Sequence, residues 1–311
     1  MRSIAKLMKD WQFTGPDGVT AAVVLPHTWN AVDGQDGGND YWRGTCTYRT
    51  SFAAPAFDPA QQQVWLQFEG VNSSATVLLN GQKLCTHDGG YSTFRAEITE
   101  LLQAENQLAV QVDNSVNDRV YPQKADFTFY GGIYRDVSLL VVNKNHIALG
   151  HFGDTGVKIT PDLKEGSADI QVETLVEGEG TVVVELLDAE GSTVAKGEGS
   201  KASLHLDAPH LWNGVKDPYL YTCIVRLMQE GKPVDEVTTK VGIRSFSVDA
   251  KKGFFLNGKP YPLHGVSRHQ DRKGLGNAIT REMHDEDMAL IRELGANTVR
   301  LAHYQHDQYF Y

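Results

Sequence analysis

Apolar and polar positions alternate along most of this chain. Val64-Trp-Leu-Gln-Phe68 alternates, Ala75-Thr-Val-Leu-Leu79 runs straight into Asn80-Gly81, and Leu108-Ala-Val-Gln-Val112 and Val137-Ser-Leu-Leu-Val-Val142 follow. A period of two places successive side chains on opposite faces of a strand, and Asn-Gly between two such runs is a strong hairpin signal. Strands spaced by Gly, Asn and Asp turns, with no long helical pattern, predict a jelly-roll-type β-sandwich over residues 1–143. Its chemically densest loop runs from Asp113-Asn-Ser to Asp126-Phe-Thr-Phe-Tyr-Gly-Gly-Ile-Tyr-Arg-Asp136. Aromatic rings and carboxylates beside paired glycines suit a sugar-contacting surface; a tightly packed sandwich corner is the equal alternative.

Residues 144–245 repeat the β pattern in a second block. Ala168-Asp-Ile-Gln-Val-Glu-Thr-Leu175, Thr181-Val-Val-Val-Glu-Leu-Leu187 and Tyr219-Leu-Tyr-Thr-Cys-Ile-Val-Arg-Leu227 alternate or run apolar. Short strands at this density fit an immunoglobulin-like sandwich. No convergent polar cluster falls in it, so it reads as a spacer, with Trp212 and Tyr221 as packing residues.

The period changes after residue 246. Phe254-Phe-Leu-Asn257-Gly258 makes a turn, an apolar run closes at Val266, and Ser267, Arg268 and His269 follow. A second run over residues 298–302 ends in His303. Between them Thr280 is placed to cap a helix whose Met283, Leu290, Ile291 and Leu294 recur at helical spacing, with Gly295 as its stop. In a (β/α)8 barrel, residues at the carboxyl ends of neighbouring strands point into the active-site mouth. Two such units cannot close a barrel. Residues 246–311 therefore read as the first two βα units of a truncated TIM barrel, and the chain as mainly β.

Composition narrows the class. Charged residues make up 22% of the chain and the net charge is −10, spread rather than blocked. This disfavours nucleic acid and anionic membranes as partners, since both select clustered Lys and Arg. No apolar run approaches the ~20 residues of a membrane span, and the basic start lacks a signal-peptide core. Cys46, Cys85 and Cys223 are odd in number and lack metal-ligand spacing, so buried free thiols in a reducing compartment are expected. The expectation is a soluble, cytoplasmic protein.

The motifs, in order, resemble those of glycoside hydrolase family 2, the β-galactosidase, β-glucuronidase and β-mannosidase group. They are Asp126 to Asp136, Pro209-His-Leu-Trp212 with Asp217-Pro-Tyr-Leu-Tyr221, Gly242-Ile-Arg244, His264-Gly-Val-Ser-Arg-His269, and Val299-Arg300-Leu-Ala-His303-Tyr304. Within the family the Arg268-His269 pair and the run from Ala302 to Gln305 are most similar to β-galactosidases. The Ala and the Gln depart from that subgroup's Ser and Pro, and Asn30 does not align with a substrate-contacting asparagine. The resemblance implies hydrolysis of terminal β-D-galactosides by a retaining exo-glycosidase, with β-glucuronidase as the alternative inside the family. A non-catalytic carbohydrate-binding sandwich is the alternative outside it, disfavoured by the strand–helix–strand at the end.

The resemblance also implies roles. Retaining glycosidases need an acid and a nucleophile about 5–5.5 Å apart; in this family both are glutamates on later barrel strands, the first after an Asn. No Asn-Glu pair occurs in the chain. Glu282, Glu286 and Glu293 sit on the helix, so no catalytic residue is assigned here and the fragment alone is expected to be inactive. His269, His303 and Asp126 are implied as substrate-binding, and Arg300 as the supporting cation that keeps the nucleophile ionised. Asp126 is also the residue offered to sodium, with magnesium and sodium the ions implied for a longer, homo-oligomeric enzyme. A zinc site on His264, His269, His303 and His306 lacks ligand spacing. His264 is expected to point into barrel packing, and His306 to be solvated at the start of the next helix.

Overall fold

A computed structural model describes residues 1–33, 40–120, 124–125 and 127–311. These fall into two compact units. One comprises Met1–Arg2, Val142–Val266 and Gly295–Val299; the other comprises Ser3–Val141, Ser267–Leu294 and Arg300–Tyr311.

The second of these units is built on a sandwich. Its larger sheet orders the strands Thr20–Val23, Trp11–Thr14, Thr45–Ala53, Glu105–Asp113, Ser74–Leu79 and Gln82–Asp88. The facing sheet orders Ser3–Lys6, Val137–Asn143, Gln62–Phe68 and Phe94–Glu97. Alternation sets the core. In Gln62–Phe68 the buried positions are Val64, Leu66 and Phe68, and in Glu105–Asp113 they are Asn106, Leu108, Val110 and Val112. With Trp11, Tyr48, Val77 and Leu79 the apolar side chains among these form one cluster. The Asn80-Gly81 turn forms where it was expected. Both residues have positive φ, 53° and 80°, and Leu79 pairs with Gln82 across it. Such a turn matches the right-handed twist of the flanking strands.

The other unit carries the immunoglobulin-like arrangement. Three strands (Val157–Leu163, Ser167–Thr174, Lys201–Asp207) face four (Thr193–Glu198, Thr181–Leu187, Tyr221–Gln229, Lys232–Val241) around Ile170, Val184, Leu204, Cys223 and Leu227. Its signature residues hold one another. His210 stacks on Tyr219 with centroids 3.9 Å apart and bonds Asp217 at 2.8 Å, while the Tyr221 hydroxyl accepts from the His210 N–H. Arg244 lies over Trp212 at 5.0 Å, and a side chain at Gly242 would sit 3.1 Å from the Trp212 Cβ. The Trp212 and Tyr221 expectation holds: these are packing residues. Asp235 is fully buried yet satisfied, accepting from Arg2 Nε at 2.8 Å and from the Ile147 N–H at 2.8 Å.

The predicted strand–helix–strand is present as Gly265–Arg268, Arg281–Glu293 and Thr298–Leu301. The first strand runs on through Ser267 and Arg268, past the apolar run that closes at Val266. Thr280 has the extended backbone of a cap, but its hydroxyl makes no cap bond; its carbonyl instead receives Met283 and His284. Gly295 stops the helix at φ 73°, where a Cβ would be strained. The buried helical face consists of His284 and Ile291, whereas Leu290 and Leu294 are exposed. His264 is corrected too: it precedes the strand and is exposed.

Cys46 and Cys223 are buried free thiols and Cys85 is half-buried. Burial pushes the Cys46 thiol up to about 12 and the Cys223 thiol up to about 11, so neither is a ready nucleophile. Among the described residues no helix is long and apolar enough to cross a membrane.

Candidate functional site

The site grows from the ends of the two short strands. Side chains alternate along a strand, so Arg268 turns toward the helix and His269 turns the other way. After the second strand, buried Ala302 is followed by His303, whose ring centroid lies 5.2 Å from that of His269 at 80°. The two histidines predicted to work together are thus brought edge to face.

Arg300 sets the chemistry of His303. Its Nη2 lies 2.9 Å from His303 Nδ1 and its Nη1 donates to Ser267 Oγ at 3.2 Å. A guanidinium can only donate, so His303 Nδ1 must accept; the ring is then neutral with its hydrogen on Nε2. His303 is exposed, which leaves that Nε2–H to donate outward. His269 is half-buried, and its Nδ1 has no partner among the described residues.

Aromatic residues wall the pair. Phe127, from the chemically dense sandwich loop, has its ring centroid 5.2 Å from His269, 5.7 Å from His303 and 5.6 Å from Tyr304. Tyr304 stacks on Tyr91 at 4.3 Å and 10°, and its hydroxyl accepts from the Gln270 N–H at 3.1 Å. Burial raises the Tyr304 phenol well above the ordinary range, so it stays protonated. A cleft of about 300 Å³ opens beside His303, lined by residues 89–92 with His303, Tyr304 and Gln305.

The rest of the loop is a packed corner. Phe129, Tyr130, Ile133, Tyr134 and Arg135 are buried. Asn30, wholly buried, accepts from the Gly131 N–H at 2.8 Å, and Thr28 donates to the Gly131 carbonyl at 2.7 Å. A Cβ on Gly131 would fall 2.1 Å from the Trp29 ring. Asn30 is therefore a loop tie. Arg135 donates to the carbonyls of Tyr91 at 3.0 Å and Gln305 at 2.5 Å, anchoring the backbone just after Tyr304. Of the two readings of this stretch, packing fits residues 129–135, and Phe127 meets the histidines. Asp126, expected to bind a sugar hydroxyl or sodium, lies outside the described residues.

Other predicted groups are placed elsewhere. Glu286 is tied to Arg272 at 2.6 Å, and Glu282 and Glu293 are exposed on the helix. His306 is corrected: it is 1% exposed and bonded to Arg268 and to the Ala302 carbonyl. Among the described residues no three His, Cys, Asp or Glu side chains are arranged to hold a metal ion. Sequence reasoning did not single out Phe127, Tyr91 or Arg135 individually. Phe127 and Arg135 lay inside quoted motifs, but neither spacing nor residue type marks which aromatic faces a histidine 142 or more positions away.

Three family models tile most of the chain. They are described as "Glycosyl hydrolase 2 galactose-binding domain-like" over residues 37–173, "Glycosyl hydrolases family 2" over residues 151–244, and "Glycosyl hydrolases family 2, TIM barrel domain" over residues 247–311. A β-glucuronidase of Bacteroides fragilis is 38% identical, matching 98% of this chain and 47% of its own length. The β-galactosidase BoGH2A of Bacteroides ovatus is 31% identical, matching 94% of this chain and 38% of its own. The crystal structure of an FMN-binding β-glucuronidase from Facaelibacterium prausnitzii L2-6 superposes with a TM-score of 0.95 at 41% identity, covering 100% of this chain and 50% of that one. The chain thus spans about half the length or less of these relatives.

Proposed function

The chain belongs to glycoside hydrolase family 2, and on that premise we propose that it forms the N-terminal, substrate-positioning part of a retaining exo-β-glycosidase. The observation that carries this reading is the facing pair His269 and His303, with Arg300 fixing His303 as an outward Nε2–H donor. A neutral imidazole donor of fixed tautomer suits a sugar hydroxyl. It strengthens its bond as the neighbouring ring carbon becomes cationic, which is differential binding of the transition state. Phe127 closes one side of the pair and offers a ring face or edge to sugar C–H groups. The family resemblance implies that the two catalytic carboxylates lie on later barrel strands; the helical glutamates are exposed or paired away from the histidines.

For the glycone, we place β-D-glucuronide first. Relatives named as β-glucuronidases match at 38% and 41% identity over nearly the whole chain. The sequence feature that had favoured galactoside, the Arg268-His269 pair, loses half its basis because Arg268 is buried in an ion pair with Asp287. β-D-Galactoside is the second reading, supported by BoGH2A and by the run around His303. Asp126, Mg and Na enter only as the resemblance implies them. The test is steady-state hydrolysis of aryl β-glucuronide and aryl β-galactoside by the protein extended through a complete barrel. Glucuronide is expected to lead by about tenfold or more in kcat/KM. The reverse order moves the assignment to galactoside, hydrolysis of neither overturns the function, and turnover by the 311-residue chain alone overturns the placement of the carboxylates.

A further inference from the structure

The face of the Gly265–Arg268 strand opposite His269 holds a charged group that the chemistry above does not use. Arg268 is only 6% exposed. Its Nε and Nη2 donate to Asp287 Oδ2 at 2.9 and 2.7 Å, its Nη2 reaches His284 Nδ1 at 3.1 Å, and its Nη1 reaches His306 Nδ1 at 3.0 Å. Phe310 covers the guanidinium at 4.0 Å. Because Arg268 can only donate, both imidazoles must accept through Nδ1, which makes both neutral and leaves the hydrogen on Nε2. The His306 Nε2–H then donates to the Ala302 carbonyl at 3.2 Å. The loop closes through the backbone, since the Ala302 N–H donates to the Arg268 carbonyl at 2.9 Å.

We propose that Arg268 is a positioning residue for the histidine pair: its side chain, through His306, and its own carbonyl together grip Ala302, the residue between the second strand and His303. His269 follows Arg268 directly and His303 follows Ala302 directly, so one buried guanidinium sets the exit direction of both rings. A planar fork of five N–H donors is what allows a single side chain to serve a carboxylate and two imidazoles, and Lys cannot reproduce it. The electrostatics agree with the tautomers. Burial holds His306 down to about 4 and His284 below its ordinary value, with the positive charges of Arg268 and Arg135 acting in the same direction. Asp287 and Asp307 oppose this at His284. The remaining groups packed on the two rings are the aromatic faces of Tyr304, Tyr309 and Phe310.

The proposal rests on the glycosidase reading only for its kinetic arm. The structural arm is ¹⁵N-histidine NMR of the chain, in which His284 and His306 should be neutral Nε2–H tautomers at pH 7, and His306 should remain so to pH 5. A ring protonated on Nδ1, or titrating at an ordinary histidine value, would falsify the network whatever the enzyme does. In the extended enzyme His306→Leu removes the link to Ala302. It is expected to move the His303 resonances and to lower kcat/KM about tenfold, chiefly through kcat. His306→Gln offers an acceptor to Arg268 and a donor to Ala302, and should restore most of both. His303 resonances and kinetics unchanged in a folded His306→Leu protein would overturn the positioning role. Should Leu prevent folding, failure of the folded Gln variant to retain the wild-type His303 resonances would do so as well.

Discussion

At the scale of single residues, the site depends on which atom carries a hydrogen. His303 can serve a sugar hydroxyl because Arg300 occupies its Nδ1 from 2.9 Å, leaving Nε2–H outward. His303→Phe in the extended enzyme removes that donor, and kcat/KM should fall about 10²-fold with the fold intact, as measured by initial rates beside circular dichroism. A change confined to melting temperature would make His303 structural. Arg300→Met has a different signature. A fixed cation lowers the pKa of a nearby carboxyl group, so its removal raises that pKa. The acid limb of the kcat/KM profile should move to higher pH by about one unit. An unmoved limb would leave Arg300 as the tether of His303 alone. These residue types were legible in the sequence, and so was the pairing of His269 with His303. The tautomers were not, because they follow from contacts with Arg300, Arg268 and Ala302.

At the scale of elements, the sandwich loop and the two strand ends are held by backbone groups that periodicity does not report. Gly131 bonds Asn30 and Thr28 through both its N–H and its carbonyl, with the Trp29 ring where a side chain would be. Gly131→Ala should destabilise the chain by about 1–3 kcal/mol, read as a lower urea midpoint, because neither the ring nor the bonded backbone has room to retreat. At the start of the strand pair, Asn297 accepts from the His264 N–H and donates to the Pro262 carbonyl, each at 2.8 Å. Helical spacing correctly located the helix and picked out Ile291, yet missed His284 and included leucines that lie outside its buried face. Leu290 and Leu294 are exposed, while His284 and Ile291 face inward. The reason is Arg268: a buried guanidinium needs acceptors, and His284 and Asp287 on the helix supply them.

At the scale of the whole molecule, acid is the condition that should separate folded from unfolded. His27 is half-buried and His306 buried, and loss of solvent holds each down to about 4 from 6.5. Below pH 6.5 the unfolded chain binds protons that the folded chain refuses. Stability is therefore whole above that pH and is lost as pH falls toward 4, by on the order of 3 kcal/mol for each group. Urea midpoints measured between pH 7.5 and 4.5 should decline over this window, and His27→Phe or His306→Gln should flatten the decline. What the sequence determined by itself was the succession of elements: two alternating β blocks, then a strand–helix–strand ending in His303. It could do so because strand and helix periods, Asn-Gly turns and glycine stops are local properties of the chain. Tertiary structure alone decided that Phe127 meets His269 and His303, that Asn30 ties a loop, and that His306 is buried against Arg268. Each of those facts joins residues far apart in sequence, and a buried charge or amide finds its partners in space, where no spacing along the chain records them.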